Sequence, residues 1–292
     1  MKPAASCTAN SPRDSLVPDR FPAMAHSARF ELKYVIEEAR AVAVADFVSS
    51  YLQPSAHNGS GPIRGHPVIS LYMDSPDHFF FRQAYTGHKN RMKLRIRFYD
   101  DEWERPAFLE IKRRVSEVIC KDRAMITREA VRRILTEGWP VKPYAAGFST
   151  LVHGRRRQDV GDDFWQFANR VRARGMVFVS YYREIYESTT DEELRVTFDR
   201  QVRGSRYDGS GRLRTPKTGW LPYLPPYMAP FPRDGVILEL KFDERAPLWM
   251  FDLAKIFNLR QTPVCKYSAC IYAQELQWGR QILPEQEEAL VL

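Results

Sequence analysis

Lysine and arginine recur at every second position in one short segment, KLRIR at 93–97. In a β-strand, residues two apart share a face, so Lys93, Arg95 and Arg97 would point one way while Leu94 and Ile96 point the other. A guanidinium group can bind two phosphate oxygens at once, and an ammonium group acts as a point charge. The segment therefore predicts a strand whose charged face binds a polyanion such as a chain of phosphates.

Five further segments repeat this arrangement, with charged or polar residues at every second position and apolar residues between them. Their paired residues are Glu31 with Lys33, Glu110 with Lys112, Lys121 with Arg123, Glu239 with Lys241, and Lys266 with Ser268. A half-exposed antiparallel sheet shows the same alternation, and Glu110 and Lys112 could be an ordinary ion pair. One barrel explains all six segments together, with the charged faces lining a bore and the apolar faces packed against helices.

Composition also favours a polyanionic partner. The chain of 292 residues has 44 Lys plus Arg against 36 Asp plus Glu, for a net charge of +8. Nucleic acid is an unfavoured ligand, because the basic residues lie within predicted strands and not on an exposed helix or between aromatic stacking platforms. The net charge alone leaves phosphates and an anionic membrane surface open as partners.

The spacing of the cysteines and histidines argues against a metal site and a disulfide framework, and this favours a reducing compartment. The four cysteines form no CxxC pair, and the six histidines show no metal-ligand spacing. We therefore expect a reducing, cytoplasmic setting without a zinc site or a disulfide framework. No apolar run reaches the roughly 18 residues that a membrane-spanning helix requires, so we expect a soluble protein.

Short strand-like segments alternate with a few helical ones along the chain. The predicted strands are Phe30–Ile36, Val68–Asp74, Arg91–Asp100, Ala107–Val115, Glu117–Ile126, Val177–Glu187, Leu194–Val202, Val236–Phe242 and Ser268–Glu275. The predicted helices are Glu37–Leu52, Arg128–Glu137, Asp163–Arg174 and Leu248–Phe257. Thr127 is expected to cap the second helix, Gly138 to end it, and Gly175 to end the third. These elements predict an α+β fold, an antiparallel β-barrel with helices packed outside.

The chain is expected to form one functional unit over residues 27–280. Residues 1–26 are rich in Pro, Ser and Ala and predict a disordered leader, and residues 281–292 form a C-terminal tail. Residues 203–235 are rich in Pro and Gly and show no periodicity, which predicts an irregular insertion or lid within the unit.

Six segments, in order, resemble the VTC domain, which belongs to the triphosphate tunnel metalloenzymes. They are RFELKY (29–34), SLYMDSP (70–76), KLRIR (93–97), FLEIKRR (108–114), ILELKF (237–242) and KYS (266–268). The resemblance covers about Arg29 to Ala273. It implies an eight-stranded tunnel in which Lys and Arg bind a triphosphate and Glu binds Mn²⁺ or Mg²⁺. The best-known VTC domains polymerise polyphosphate from ATP.

The charged positions and the resemblance together assign roles to fifteen residues. The expected catalytic residues are Lys33, Arg95, Arg97, Lys112 and Lys266. The expected substrate-binding residues are Glu31, Lys93, Lys121, Arg123, Arg183, Arg195, Lys241 and Ser268. The expected metal ligands are Glu239 and Glu110.

The first segment departs from the pattern of hydrolytic tunnel relatives. Those relatives open with ExExK, whereas this chain reads Arg29-Phe30-Glu31-Leu32-Lys33. An arginine in place of one acidic ligand implies fewer metal ligands and a more cationic tunnel, which suits holding a long polyanion better than activating water.

The leading hypothesis is metal-dependent phosphoryl transfer on triphosphate substrates, with synthesis of inorganic polyphosphate from ATP as the specific reaction. A tunnel-type phosphohydrolase of inorganic or nucleoside triphosphates is the nearest enzyme alternative. A non-catalytic sensor of polyphosphate or phosphorylated ligands is the alternative from a different class. The sequence leaves the donor nucleotide, the acceptor and the oligomeric state open.

Overall fold

The computed structural model of the chain describes residues 29–116, 118–138, 157–190, 194–223, 235–243 and 245–280. Within these residues the strands are β1 (Arg29–Glu37), β2 (Gln53–Pro54), β3 (His66–Asp74), β4 (Arg91–Phe98), β5 (Ala107–Val115), β6 (Val118–Ile126), β7 (Arg174–Glu187), β8 (Arg195–Arg206), β9 (Leu221–Pro222) and β10 (Gly235–Asp243). The helices are α1 (Glu38–Ser49), α2 (Phe79–Tyr85), α3 (Arg128–Glu137), α4 (Arg157–Arg170), α5 (Leu248–Ile256) and α6 (Lys266–Gln277). The predicted α+β class is confirmed.

Eight strands form one antiparallel, strongly curled sheet in the order β1-β10-β8-β7-β3-β4-β5-β6, and the two short strands β2 and β9 pair with β7 and β8. The curl brings β1, at one end of this order, close to β5, which is next to the other end, and Lys112 of β5 reaches Glu31 of β1 at 2.9 Å. The side chains of alternate residues therefore face a shared interior, as predicted for a barrel.

The apolar phase of the strands packs under helices on the outside of the barrel. Leu94 and Ile96, which alternate with the charged residues of β4, are buried in a cluster that also holds Val131 of α3 and Phe164 of α4. A second cluster joins β1, β8 and β10 to the buried faces of α1 and α5. Each fully buried side chain of this size contributes about 1.5–3 kcal/mol, so the outer layer stabilises the curl that forms the bore.

The last helix, α6, does not follow this arrangement. The predicted strand Ser268–Glu275 is wrong, because this segment lies inside α6. Tyr267 and Cys270 pack against Tyr72, Val179 and Ile237, which are in phase with the residues that face the interior. A Cβ on Gly204 would lie 2.5 Å from the Cβ of Cys270, so a glycine is needed where β8 meets the helix. Helix α6 therefore closes one end of the barrel from within.

Most other predicted elements are present with small changes at their ends. Thr127 caps α3 by accepting from the Ala130 amide, and Gly138 ends it with a φ of 83°. The predicted third helix was misplaced, since α4 begins at Arg157 and ends at Arg170, and Gly175 lies inside β7 and does not end a helix. Helix α2 was not predicted.

The domain predictions are only partly within the described residues. The leader at 1–26, the tail at 281–292 and residues 224–234 of the predicted insertion lie outside them. The start of that insertion continues β8 to Arg206, and β9 follows at Leu221–Pro222. Among the described residues, no helix combines the length and apolarity needed to cross a membrane.

Candidate functional site

A cavity of about 950 Å³ occupies the interior of the barrel. Twelve of the fifteen predicted site residues line it: Glu31, Lys33, Lys93, Arg95, Arg97, Lys112, Lys121, Arg183, Arg195, Glu239, Lys241 and Lys266. Ten of its lining residues are Lys or Arg and four are Asp or Glu. The period-two pattern of the strands therefore places an excess of positive charge on one concave surface.

One wall of the cavity is built around Glu110 of β5, whose carboxylate is fully buried. It accepts from Arg95 at 2.6 Å, and its other neighbours are Arg97 at 3.7 Å and Lys121 at 3.0 Å. Arg123 completes the group at 3.5 Å. Burial acts to raise the pKa of Glu110, but the four cations outweigh it and hold that pKa well below its usual value. Glu110 thus lies behind the cavity surface and holds the arginines of β4 in place.

The opposite wall comes from β1 and β10, which pair Lys33 with Glu239 and Glu31 with Lys241. Glu239 is contacted by Lys241 at 2.8 Å and by Lys33 at 3.6 Å. Burial acts to raise the pKa of Glu239, but the surrounding cations hold it well below its usual value. The pKa of Glu31 is lowered in the same way, chiefly by Lys112 against the effect of burial. Both carboxylates are therefore ionised and face the cavity.

Asp199 of β8 is a member of this site that the sequence prediction missed. It is fully buried and accepts two hydrogen bonds of 2.6 Å from Arg183. Lys266 at the start of α6 lies 2.6 Å from Asp199 and 2.7 Å from Glu239, so it joins the helix to two strands. The missed signal was the same period of two, since Asp199 is four residues after Arg195 and shares its face.

Burial affects the lysines of the cavity unequally. It lowers the pKa of Lys112 to about 8 and that of Lys121 to about 7, although each has a glutamate neighbour. Burial also acts to lower the pKa of Lys266, but Asp199 and Glu239 outweigh it and raise that pKa. A bound anion would therefore raise the pKa of Lys112 and of Lys121 and favour their charged forms.

Lys93 and Cys265 form an unusual pair on the cavity surface. The Lys93 ammonium donates to the Cys265 sulfur at 2.9 Å, and none of the described carboxylates lies within 4 Å of this ammonium. Burial acts to raise the pKa of the Cys265 thiol, but Lys93 and Ser268 outweigh it and lower that pKa to about 7. Lys93 therefore presents its charge to the cavity beside the Cys265 thiol.

Three predicted site residues lie outside the cavity surface. Glu110 is behind it, and Arg123 stacks over the ring of Phe108 with 3.7 Å between its central carbon and the ring centre. Ser268 is buried in the first turn of α6, where its hydroxyl is 2.9 Å from the Cys265 sulfur. Arg195 lines the cavity but pairs with Glu187 at 3.0 Å. Three tyrosines that no prediction included, Tyr72, Tyr181 and Tyr267, also line the cavity.

Comparison with known proteins bears directly on the predicted family. No curated protein gives a significant match to this chain. One similar solved structure is that of a proposed adenylate cyclase from Bacillus halodurans, with 14% sequence identity and a TM-score of 0.42. That alignment covers 82% of this chain and 95% of the other. The model of the VTC domain family matches residues 28–274, which include every strand and almost all of the helical segments described above, and the chain therefore belongs to the VTC domain family.

Proposed function

We propose that this protein catalyses metal-dependent phosphoryl transfer on triphosphate substrates, and that its reaction is the synthesis of inorganic polyphosphate from ATP. The observation that carries the proposal is the cavity surface, with ten Lys or Arg and four Asp or Glu lining one concave space. Such an excess of fixed positive charge repels itself unless an anion of high charge density enters. A chain of phosphates has that charge, and family membership supports the same substrate class.

The arginines and lysines have separable roles in this proposal. Arg95 and Arg97 are held from behind by Glu110, so their guanidinium groups are oriented before a ligand arrives. Lys112 and Lys121 have lowered pKa values and become better cations once phosphate oxygens are near. Phosphoryl transfer depends mainly on positioning and on neutralising charge that develops on oxygen, and preoriented cations provide both.

The donor set also fits a divalent cation. The described residues contain no cluster of three or more Asp, Glu, His or Cys that could hold a metal ion. Mg²⁺ and similar ions are commonly bound by one or two carboxylates together with substrate phosphates, which the ionised Glu239 and Glu31 could provide. We propose Glu239 as the main ligand, because Glu110 lies behind the cavity surface. The bound metal would neutralise charge on neighbouring phosphate oxygens.

The proposed reaction balances without another reactant. A terminal oxygen of the growing chain attacks the γ-phosphorus of ATP, the bond between that phosphorus and the β,γ-bridging oxygen breaks, and ADP leaves. The product is longer by one phosphate. The sequence has Arg29 where hydrolytic tunnel relatives have an acidic residue, and in this proposal that departure favours a phosphate chain over water as the attacking group.

A cytoplasmic location accompanies this proposal. The proposed phosphoryl donor, ATP, is available in that compartment.

The test is incubation of the purified protein with ATP and Mn²⁺, followed by gel analysis of phosphate chains and measurement of ADP and free phosphate. Polyphosphate appearing with ADP supports the proposal. ADP and free phosphate without chains would indicate a phosphohydrolase, and binding without any turnover would indicate a sensor. Arg97→Ala should abolish the reaction, whereas Arg132→Ala, which removes an exposed arginine of α3 paired with Glu129, should leave it unchanged.

A further inference from the structure

The segment SLYMDSP at 70–76 contains a buried carboxylate that the proposed reaction does not use. Asp74 is 0% exposed at the end of β3. It accepts hydrogen bonds from the amides of Ser75 at 2.7 Å, Phe80 at 2.8 Å and Phe81 at 2.9 Å, and from the hydroxyl of Tyr267. A carboxylate has about four acceptor positions, so this one is fully used. It joins β3, the first turn of α2 and the first turn of α6.

Tyr267 connects this carboxylate to the cavity. Its ring stacks on that of Tyr72 with 4.9 Å between the centres, and the Tyr72 hydroxyl accepts from Arg95 at 2.9 Å. Burial and the Asp74 carboxylate raise the pKa of Tyr267, so its hydroxyl keeps the proton that it donates. A continuous set of contacts therefore runs from Asp74 through two tyrosines to a phosphate-binding arginine.

Lys266 precedes Tyr267 in the same helical turn. Its ammonium bridges Asp199 and Glu239, so it is the cation that α6 contributes to the cavity. Consecutive residues of a helix are about 100° apart, so any rotation of the first turn of α6 would move both side chains together. The hydrogen bond to Asp74 therefore restrains this rotation, in addition to the ion pairs that Lys266 itself makes.

The N-cap of α6 is weak, so the first turn of this helix depends on contacts with other elements. Its N-cap residue is Cys265, whose sulfur accepts from the Ser268 amide at 3.3 Å. Sulfur is a weak acceptor, whereas helices are usually capped by Ser, Thr, Asp or Asn. The polar contacts that join this turn to the strands are the ion pairs of Lys266 with Asp199 and Glu239 and the hydrogen bond from Tyr267 to Asp74.

We propose that Asp74 is a positioning residue that, through the Tyr267 hydroxyl, holds α6 so that Lys266 and Arg95 face the same length of phosphate chain. This inference rests on the proposed function for its ligand, but the orientation of α6 can be tested without one. The alternative is that Asp74 only stabilises α2 through its bonds from the Phe80 and Phe81 amides. Loss of the bond from Tyr267 would then leave the orientation of α6 unchanged.

The test variant is Tyr267→Phe, which removes only the hydroxyl and leaves the bonds from Asp74 to α2. The matched control is Tyr186→Phe. Tyr186 is also buried and donates to a carboxylate, Glu184, at 3.0 Å, but it lies in the outer cluster under α1. Both variants should lower the melting temperature by similar amounts, because each loses one buried hydrogen bond.

The first readout is independent of phosphate. Iodoacetamide alkylation of Cys265, followed by peptide mass spectrometry across a pH series, reports whether the thiol still faces Lys93 of β4. In the wild type and in Tyr186→Phe the midpoint should lie near 7. In Tyr267→Phe it should move towards the ordinary thiol value of about 8.5, because a rotated helix separates the thiol from Lys93. An unchanged midpoint in Tyr267→Phe would overturn the proposal, whatever the protein binds.

The second readout is calorimetric titration with tripolyphosphate. Tyr267→Phe should bind about tenfold more weakly than wild type, and Tyr186→Phe should bind equally well. Equal binding by all three proteins would overturn the link between Asp74 and the ligand. The midpoint of Cys265 could shift in Tyr267→Phe while the wild-type protein binds no tripolyphosphate. That result would support the positioning of α6 and refute the proposed function.

Discussion

Replacing Glu239 with glutamine should separate the stability of the barrel from its affinity for phosphate. Glu239 is 3% exposed, and four cations surround its carboxylate: Lys33, Arg183, Lys241 and Lys266. Removing one partner of a buried ion pair typically costs about 3–5 kcal/mol, because the remaining charges stay buried without compensation. For a domain of this size that corresponds to a melting temperature lower by roughly 6–20 °C.

The same substitution should leave tripolyphosphate binding unchanged or make it tighter. Glu239→Gln removes a negative charge from a cavity that already has an excess of positive charge, and it frees the four cations for phosphate oxygens. Bound tripolyphosphate should restore stability, since a ligand at 100 times its Kd contributes about 2.7 kcal/mol. Turnover with Mn²⁺ should be lost, because Glu239 is the proposed metal ligand.

The assay is thermal unfolding over a tripolyphosphate series at constant ionic strength, together with calorimetric titration. Glu184→Gln is the matched control, because Glu184 is similarly buried and pairs with Arg200 at 2.7 Å on the outer face of the barrel. That variant should lose stability without any change in Kd. A tenfold weaker Kd for Glu239→Gln would refute this reasoning, and full Mn²⁺-dependent activity would refute the metal assignment.

Three further results are expected. Arg97→Ala should weaken tripolyphosphate binding about ten- to a hundredfold in calorimetry, because a charge-assisted hydrogen bond contributes roughly 1.5–3 kcal/mol; an unchanged Kd would remove Arg97 from the site. At pH 8.5, tripolyphosphate binding should take up protons, because burial lowers the pKa of Lys112 to about 8 and of Lys121 to about 7 and a bound phosphate would raise both values. Proton uptake is detected as a dependence of the calorimetric enthalpy on the buffer, and the absence of that dependence would contradict the prediction. The free energy of unfolding should fall as the pH drops below about 4.5, the ordinary glutamate pKa, because the folded state lowers the pKa of four buried carboxylates, Glu31, Glu110, Glu239 and Asp199. Chemical denaturation that shows constant stability down to pH 3 would argue against this.

The period of two made most of this cavity predictable from sequence. In β4 the residues Lys93, Arg95 and Arg97 alternate with Met92, Leu94 and Ile96, which are buried, so one phase defined the core and the other the interior of the barrel. The same rule would have found Asp199. It could not show that Glu110 lies behind the cavity surface, because that depends on how far the side chains of neighbouring strands reach.

Helix α6 was mispredicted for a physical reason. An amphipathic helix is recognised by an apolar stripe at a period of 3.6, but α6 is buried on almost every side over Tyr267–Glu275. Its tyrosine and isoleucine residues and the spacing of Lys266 and Ser268 therefore resembled a strand. The contact between Asp74 and Tyr267 joins residues 193 positions apart, so no local pattern could reveal it.

The most direct test of the central claim is a crystal structure of the protein with tripolyphosphate and Mn²⁺, with anomalous differences used to locate the metal. The account predicts phosphate density inside the barrel, in contact with Arg95, Arg97 and Lys266, and a manganese peak beside Glu239. Phosphate and manganese found only on the outer surface, with the cavity containing solvent alone, would contradict it.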